Sequence, residues 1–278
     1  MRLGGPSFGE TGTPEGWIAG LRKIGFTAAY CPFGNDADDA KVRVYADAAA
    51  RAGIVIAETG AWSNPLSPDE AERHKAFATC VNGLTLAERL GARCCVNISG
   101  SRGTKWDGPH PDNLTPDTFR MIVEVVRKII DAVKPIRTFY TLETMPWMYP
   151  DSPEHYLALI KAVDRKAFAV HFDPVNLINN PGRYFNNGVL IREFVRMLGP
   201  HIRSCHAKDI LIQEKPLLHL DEVRPGTGNL DYHALLTAVG NLDPDMPVML
   251  EHLSGEEDYR LAAAHIRTVA AESSVRMV

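Results

Sequence analysis

The stretch that decides the fold is residues 138–173, TFYTLETMPWMYPDSPEHYLALIKAVDRKAFAVHFD. It opens with an apolar run rich in aromatic and β-branched residues, continues with a helical pattern that Ser152 and Pro153 begin, and closes with a second apolar run. Continuous apolar runs of this kind are typical of strands buried on both faces of a parallel sheet. The stretch therefore predicts one strand–helix–strand unit with a right-handed crossover.

The same alternation extends in both directions along the chain. Predicted strands lie around 2–4, 27–32, 54–61, 94–100, 138–145, 168–176, 202–210 and 247–253, and predicted helices at 13–24, 36–52, 68–90, 115–133, 152–163, 188–198, 230–239 and 256–271. Eight such units predict an α/β protein built as one closed (β/α)8 barrel, a single domain over residues 1–278. A doubly wound open sheet is the alternative, but it usually has fewer strands, and no GxGxxG follows the first strand to support dinucleotide binding.

The composition of the chain limits the classes of binding partner and the cellular setting that we expect. A net charge of −4 gives no reason to expect nucleic acid or an anionic membrane as a partner. No apolar stretch approaches the roughly 20 residues that span a bilayer, and the first ten residues, MRLGGPSFGE, lack the apolar segment of a signal peptide. The five cysteines show no CxxC spacing, so we expect free thiols in a reducing, cytoplasmic setting.

Four of the apolar runs end in a side chain that can bind a metal. Glu143 ends TFYTLE, Asp173 ends FAVHFD, His206 ends IRSCH and Glu251 ends PVMLE. Parallel barrel strands deliver their last side chains to one rim, the face where barrel active sites form. Three clustered carboxylates repel one another strongly unless a cation lies between them.

This set of three carboxylates and one imidazole predicts a site for one divalent ion. Hard oxygen and nitrogen ligands suit Mn²⁺, our leading expectation, and also Mg²⁺, Co²⁺ or Zn²⁺. The alternative is four unrelated strand ends with surface carboxylates. The two longest loops, 99–113 and 210–229, follow strands and so belong to the same face.

Five segments carry a resemblance to a known family: LETMPW, HFDPVN, CHAKD, RPGTGNLDY and VMLEHL. Together they resemble the sugar phosphate isomerase/epimerase superfamily, the xylose isomerase-like barrel group that includes D-tagatose 3-epimerase, inosose isomerase and dehydratase, and endonuclease IV. The resemblance implies a divalent ion held by Glu143, Asp173, His206 and Glu251. It also implies that Glu143 and Glu251 remove and return the proton beside the carbonyl of a keto sugar or inosose.

The chain departs from the epimerase pattern at three places. Asn176 stands where those enzymes usually carry a His, no Glu follows Glu143 until Glu154, and Ile212 and Gln213 stand where an Arg is expected. In the epimerases, the groups expected at these places bind sugar hydroxyls. Their absence here leads to the second hypothesis, a lyase or dehydratase in the same barrel. It would expel a β-leaving group from a keto sugar, inosose or 3-keto-glycoside instead of returning the proton.

Six further residues are candidates for substrate binding: Lys208, Arg224, Asn176, Trp62, Trp147 and His110. Lys208 follows His206 by two positions and so shares its strand face. Each has a structural alternative: Lys208 as a strand-end ion pair, Arg224 as a loop anchor, His110 as a solvated loop residue, and the tryptophans as loop packing. His171 reads as a buried core histidine, and Glu58 is left undecided.

Two other function classes are weaker. A DNA-repair endonuclease of the endonuclease IV type needs a His-rich trinuclear zinc site and a basic surface, which the net charge and the single metal-like His oppose. A non-catalytic barrel predicts no tightly held metal and tolerance of Glu143→Gln and Glu251→Gln. The expected partner is a small sugar or polyol. Barrels of this group often pair, so a homo-oligomer is left open.

Overall fold

The computed structural model describes residues 1–278. Its strands are β1 Arg2–Gly5, β2 Ala28–Tyr30, β3 Val55–Gly60, β4 Cys94–Asn97, β5 Tyr140–Glu143, β6 Phe168–Phe172, β7 Ile202–Ala207, β8 Asp209–Ile212, β9 Leu220–Val223 and β10 Pro247–Leu250. Its helices are α1 Pro14–Ile24, α2 Asp39–Ala52, α3 Glu70–Leu90, α4 Pro116–Val133, α5 Pro153–Val163, α6 Pro174–Leu177, α7 Pro181–Phe185, α8 Asn187–Leu198, α9 Tyr232–Gly240 and α10 Glu256–Glu272. Two short 3₁₀ turns lie at Pro111–Leu114 and Gly199–His201.

Eight of the strands form a closed parallel barrel. The order around it is β1, β10, β7, β6, β5, β4, β3 and β2, so each strand lies beside its neighbour in the chain once the β8–β9 hairpin is set aside. The predicted (β/α)8 barrel is confirmed. Because all eight strands are parallel, their carboxyl ends meet at one mouth.

The helix boundaries follow from local chemistry at both ends. Thr13 and Ser152 each accept a hydrogen bond from a backbone N–H of the first turn, and a proline opens both helices. Gly25, Gly53 and Gly91 end helices in the left-handed conformation, which a residue without Cβ adopts at no steric cost. The predicted boundaries at these positions agree with the structure to within a few residues.

The segment after β7 differs from the prediction. The sequence run 202–210 reads as one strand, but β7 ends at Ala207, and Asp209–Ile212 pairs antiparallel with Leu220–Val223. The expected long loop 210–229 is therefore a β-hairpin followed by a turn. Its second strand, LDEV, is short and carries two acids, so nothing in its composition predicts a strand.

Tyr156 of α5 ties the helix layer to the barrel. Its buried hydroxyl lies 2.5 Å from the carbonyl oxygen of Leu142 on β5 and 3.0 Å from that of Ala169 on β6. It also accepts hydrogen bonds from the backbone N–H groups of Leu142 and His171. The phenol of Tyr156 thus joins β5, which carries Glu143, to β6, which leads to Asp173.

None of the helices combines the length and the apolar character needed to cross a membrane.

We expect Tyr156→Phe to lower the free energy of unfolding by about 1–3 kcal/mol, because buried backbone groups of β5 and β6 lose a partner. Urea unfolding followed by circular dichroism measures the loss. The matched control is Tyr140→Phe, an equally buried tyrosine whose hydroxyl contacts Cys80 Sγ and Asn97 Nδ2 at 3.4 and 3.5 Å only. Equal losses in the two variants would show that Tyr156 does not fasten these strands.

Candidate active site

The structure brings the four predicted metal-binding side chains together at the barrel mouth. Glu143 ends β5, Asp173 follows β6, His206 lies in β7 and Glu251 follows β10. One ligand atom from each lies within 4.8 Å of the others. His206 Nδ1 is 3.1 Å from Glu143 Oε1, 2.8 Å from Glu251 Oε1 and 3.8 Å from Asp173 Oδ2. Carboxylates from three other strand ends therefore converge on one imidazole nitrogen.

Lys208 adds a positive charge to the same cluster. Its Nζ lies 2.5 Å from Glu251 Oε1, 2.8 Å from Asp173 Oδ2 and 3.6 Å from Glu143 Oε1. The side chain is only 3% exposed, so this ammonium is buried among carboxylates and has few alternative partners. Lys208 is therefore part of the cluster, not a surface ion pair.

Several of these close approaches do not make hydrogen bonds. Asp173 Oδ2 and Glu251 Oε1 are buried and lack a hydrogen-bond partner with acceptable geometry, although nitrogens lie 2.5 to 2.8 Å away. Buried polar atoms are rarely left in this state without an ion or water to satisfy them. Three carboxylate oxygens and one imidazole nitrogen within 4.8 Å of one another fit the ligand set of a divalent cation. The residues present thus fit the ion that the sequence predicts.

A second buried acid lies behind His206. Glu58 of β3 is 3% exposed, and its carboxylate accepts a hydrogen bond from the Ser204 hydroxyl. It also lies 2.9 Å from His171 Nε2 and 3.3 Å from His206 Nε2. Since Nε2 of His206 faces this acceptor, its Nδ1 is the nitrogen that faces the three carboxylates at the mouth.

Backbone irregularities explain why the sequence did not identify Glu58. Between β2 and β3, Ala29 pairs with Ile56 and Tyr30 pairs with Glu58, so Ala57 is an extra residue. A bulge of this kind changes which side chains face the barrel interior. A similar shift between β6 and β7 leaves Arg203 unpaired. Strict alternation along a strand cannot locate either shift.

The charges in the cluster shift each other's pKa values. Burial favours the neutral acid at Glu251, but His206 and Lys208 outweigh it and bring the pKa of Glu251 to about 2. The same two cations hold the pKa of Asp173 below its usual range against the effect of burial. Burial dominates at Glu143 and raises its pKa. Burial opposes the charged forms of His206 and Lys208, but the surrounding carboxylates raise both pKa values well above normal.

Neighbouring groups orient the acids. Asn176 Nδ2 donates to Glu143 Oε1 at 3.1 Å. Asp173 Oδ1 accepts from the backbone N–H groups of Val175 and Asn176 and so caps α6, leaving Oδ2 for the cluster. The two carboxylates are thus held in position by the chain that follows β6.

Glu143, Glu251 and Lys208 of the cluster line a cleft of about 780 Å³. Its walls include Trp62 and Trp147, as the sequence predicts, together with Trp106, Glu222 and Tyr30, which sequence reasoning missed. Trp106 lies in the loop after β4 and Glu222 in β9, and neither position is marked by a motif.

Two predicted substrate residues do not reach this cleft. His110 accepts the backbone N–H of Asp112 through Nδ1 and caps the short turn Pro111–Leu114. Arg224 points to Asp258 of α10, 3.7 Å away. Arg224 thus matches its structural alternative as a loop anchor, whereas His110, for which a solvated loop residue was the alternative, caps a turn of its own loop.

The turn that follows the hairpin is fastened by one carboxylate. Asp209 is 1% exposed and accepts hydrogen bonds from four backbone N–H groups, those of Ile210, Gly226, Gly228 and Leu230, at 2.9 to 3.0 Å. A Cβ on Gly228 would lie 2.4 Å from Asp209 Oδ1, so only glycine fits there. The RPGTG segment is thus a structural turn, and it fixes the hairpin that carries Glu222.

Comparisons with known proteins agree on the fold. The family described as xylose isomerase-like TIM barrel matches residues 18–269. No curated protein matches the sequence.

Solved structures give matches over nearly the whole chain. One is a D-tagatose 3-epimerase-like protein, at 16% identity and a TM-score of 0.73, with 99% of this chain and 98% of that chain covered. A xylose isomerase-like TIM barrel protein from Mycobacterium smegmatis in complex with magnesium matches at 18% identity and 0.67, covering 94% and 89%. The 3-keto-D-glucoside 4-epimerase from E. coli matches at 15% and 0.68, covering 96% and 99%. Identities this low establish the shared fold only.

We expect Asp209→Asn to loosen the turn 224–230, because an amide keeps one acceptor oxygen where the carboxylate has two. Charged hydrogen bonds of this kind contribute about 1.5–3 kcal/mol each, so the local opening free energy falls by about 3 kcal/mol. Hydrogen exchange read by mass spectrometry measures it at Gly226, Gly228 and Leu230. Asp221→Asn is the control, since Asp221 is exposed on the same hairpin. Unchanged protection in Asp209→Asn would contradict this account of the turn.

Proposed function

The chain belongs to the xylose isomerase-like TIM barrel family, and on that premise we propose that it is a divalent-metal-dependent sugar isomerase or epimerase. The observation that carries the proposal is the group of Glu143, Asp173, His206 and Glu251, of which Glu143 and Glu251 line an open cleft. Epimerases on the same fold support the reaction class, and the magnesium complex supports a divalent ion.

In this proposal Glu143, Asp173, His206 and Glu251 hold one ion, with Mn²⁺ as the leading expectation and Mg²⁺, Co²⁺ or Zn²⁺ as alternatives. His206 contributes Nδ1, because Glu58 engages its Nε2. When bound, the ion supplies Lewis-acid polarisation of a carbonyl, which makes the proton on the adjacent carbon acidic. A buried imidazole supported by a carboxylate is a common arrangement for metal-binding histidines.

The chain's own residues then move the proton. One of Glu143 and Glu251 removes the proton beside the carbonyl, and the other returns it from the opposite face, which inverts that carbon. Asn176 keeps Glu143 oriented through its hydrogen bond to Oε1. Lys208 partly neutralises the acids and places an ammonium where negative charge develops on a substrate oxygen.

The second candidate is a lyase or dehydratase in the same site. Asn176 hydrogen-bonds Glu143, so the position that holds a His in the resembling epimerases serves an acid here. Because this position then binds the sugar differently, the same proton removal can be followed by loss of a β-leaving group. That elimination competes with return of the proton. An isomer keeps the mass of the substrate, whereas elimination does not, so mass spectrometry of the product separates the two.

The proposal also includes a metabolic role, a substrate class, a domain assignment and a cellular compartment. We place the enzyme in carbohydrate metabolism, acting on a small sugar or polyol, with residues 1–278 as one catalytic domain. All five cysteines are free, which supports a reducing cytoplasm.

We expect the purified protein to hold about one divalent ion per chain, a stoichiometry that follows from the single four-ligand cluster. Elemental analysis measures it, and Glu143→Gln with Glu251→Gln abolishes it, because two charged ligands become neutral amides. The wild type, with the ion restored, exchanges the proton beside the ketone of D-fructose or an inosose in D₂O, and the double variant does not.

A matched control changes two exposed acids of α10, Glu256→Gln with Glu257→Gln, and keeps both metal and exchange. Absence of bound metal after Mn²⁺, Mg²⁺, Co²⁺ and Zn²⁺ are added back would remove the basis of the proposal. Metal binding without exchange in any keto sugar would leave a metal-binding barrel with a different reaction.

We also expect Glu58→Gln to weaken binding of that ion by about 10- to 100-fold, the usual cost of losing a carboxylate behind a metal-binding histidine. Isothermal titration with Mn²⁺ measures the change, and thermal unfolding checks that the variant is folded. Glu222→Gln is the control, because Glu222 lies in the same cleft but does not contact His206. Equal affinity in wild type and Glu58→Gln would show that Glu58 does not position the ligand.

A further inference from the structure

The cleft above the acid cluster continues into a second groove. The main cleft measures about 780 Å³, and the groove beside it about 380 Å³. Trp62 and Trp106 line both cavities, whereas Trp147 lines the main cleft only. A molecule seated at the acid cluster can therefore extend past Trp62 and Trp106 without leaving the protein surface.

The two shared tryptophans, Trp62 and Trp106, lie against the backbone of the barrel rim and expose part of their rings. The indole of Trp62 lies over Gly60, where a Cβ would come within 2.6 Å of its Nε1. The carbonyl of Trp106 accepts the backbone N–H of Ser101, and Asn64 Nδ2 donates to the carbonyl of Ser101 at 2.8 Å. Their side chains are 44% and 39% exposed, so a large part of each ring is available for contact. Exposed aromatic rings of this kind suit the apolar faces of sugar rings.

The groove itself is polar and close to charge balance. Glu72, Lys75 and Thr79 lie on one face of α3, and Thr104 faces them from the loop after β4. Neither Glu72 nor Lys75 has an ion-pair partner within 4 Å in the structure, so both are free to bond a ligand. One acid beside one base favours a neutral, hydroxyl-rich group over a phosphate, and the polar lining disfavours an apolar substituent.

The volume of the cleft also favours a ligand larger than one sugar ring. A monosaccharide at the packing density of a protein interior fills roughly 200 Å³. The main cleft alone exceeds that several-fold, and a free ketohexose would leave the groove empty.

We infer that the substrate is a glycoside of two rings: a keto-sugar unit at the acid cluster and a second, neutral sugar ring between Trp62, Trp106 and the face of α3. The position of the keto unit rests on the proposed function. The second ring rests on the groove and its tryptophans alone.

Two matched probes test this inference. One is 3-keto-cellobiose with the ketone on its non-reducing ring, and the other is methyl 3-keto-β-D-glucoside, which has the same keto ring and no second ring. Proton exchange beside the ketone in D₂O gives kcat/KM for each. We expect the two-ring probe to be favoured by about tenfold, and Trp62→Ala and Trp106→Ala each to reduce that ratio through a higher KM.

Trp147→Ala is the matched control, since it removes an indole from the main cleft but not from the groove. We expect it to lower kcat/KM for both probes alike and so to keep their ratio. A ratio near one in the wild type, or an equal fall of the ratio in Trp147→Ala, would overturn the inference.

A binding measurement separates this inference from the reaction. Cellobiose carries no ketone, so its binding, followed by indole fluorescence, reports on the groove without catalysis. Binding that Trp106→Ala abolishes, with no exchange of any keto sugar, would support the groove and refute the proposed reaction. Exchange of both probes at one rate, with no cellobiose binding, would support the reaction and refute the groove. Absence of both proton exchange and cellobiose binding would refute the groove and the proposed reaction together.

Discussion

The mutual repulsion of buried carboxylates is the constraint on which the rest of this structure depends. Glu143, Asp173 and Glu251 meet at the barrel mouth, with Glu58 one layer below. Like charges at this depth are unfavourable unless cations compensate them. The chain supplies an ammonium and an imidazole, and the oxygens Asp173 Oδ2 and Glu251 Oε1 lie close to the ammonium without a hydrogen bond. The divalent ion that we propose would add further positive charge here, which links the electrostatics of the fold to the proposed chemistry.

Much of this arrangement could be predicted from the sequence because a closed parallel barrel converts strand endings into neighbours. Once four apolar runs end in Glu143, Asp173, His206 and Glu251, the topology alone brings them to one rim. The helix ends were equally predictable, since prolines, capping side chains and glycines act within a single turn of chain.

The features that the sequence did not predict depend on contacts across the barrel or on loop conformation. Glu58 reaches His206 across the barrel from a position where an extra residue, Ala57, shifts the pairing of β2 with β3. Asp209, the first residue of β8, accepts hydrogen bonds from four backbone N–H groups, three of them from the turn that follows the hairpin, so the composition of β9 gives little signal. Trp106 reaches the cleft through the path of a loop. His110 and Arg224 had the right chemistry for a substrate, but the same loops direct them elsewhere.

The binding of four N–H groups by Asp209 also has an evolutionary consequence. Asp209 holds β8 at its own position and the turn at Gly226 to Leu230, whereas residues 213–219 at the hairpin tip make none of the ion pairs of Lys208 or Glu222. Mutation can lengthen, shorten or rewrite that tip without disturbing the acids below. The molecule thus separates a part that selection must preserve from a part that can diversify as new substrates arise.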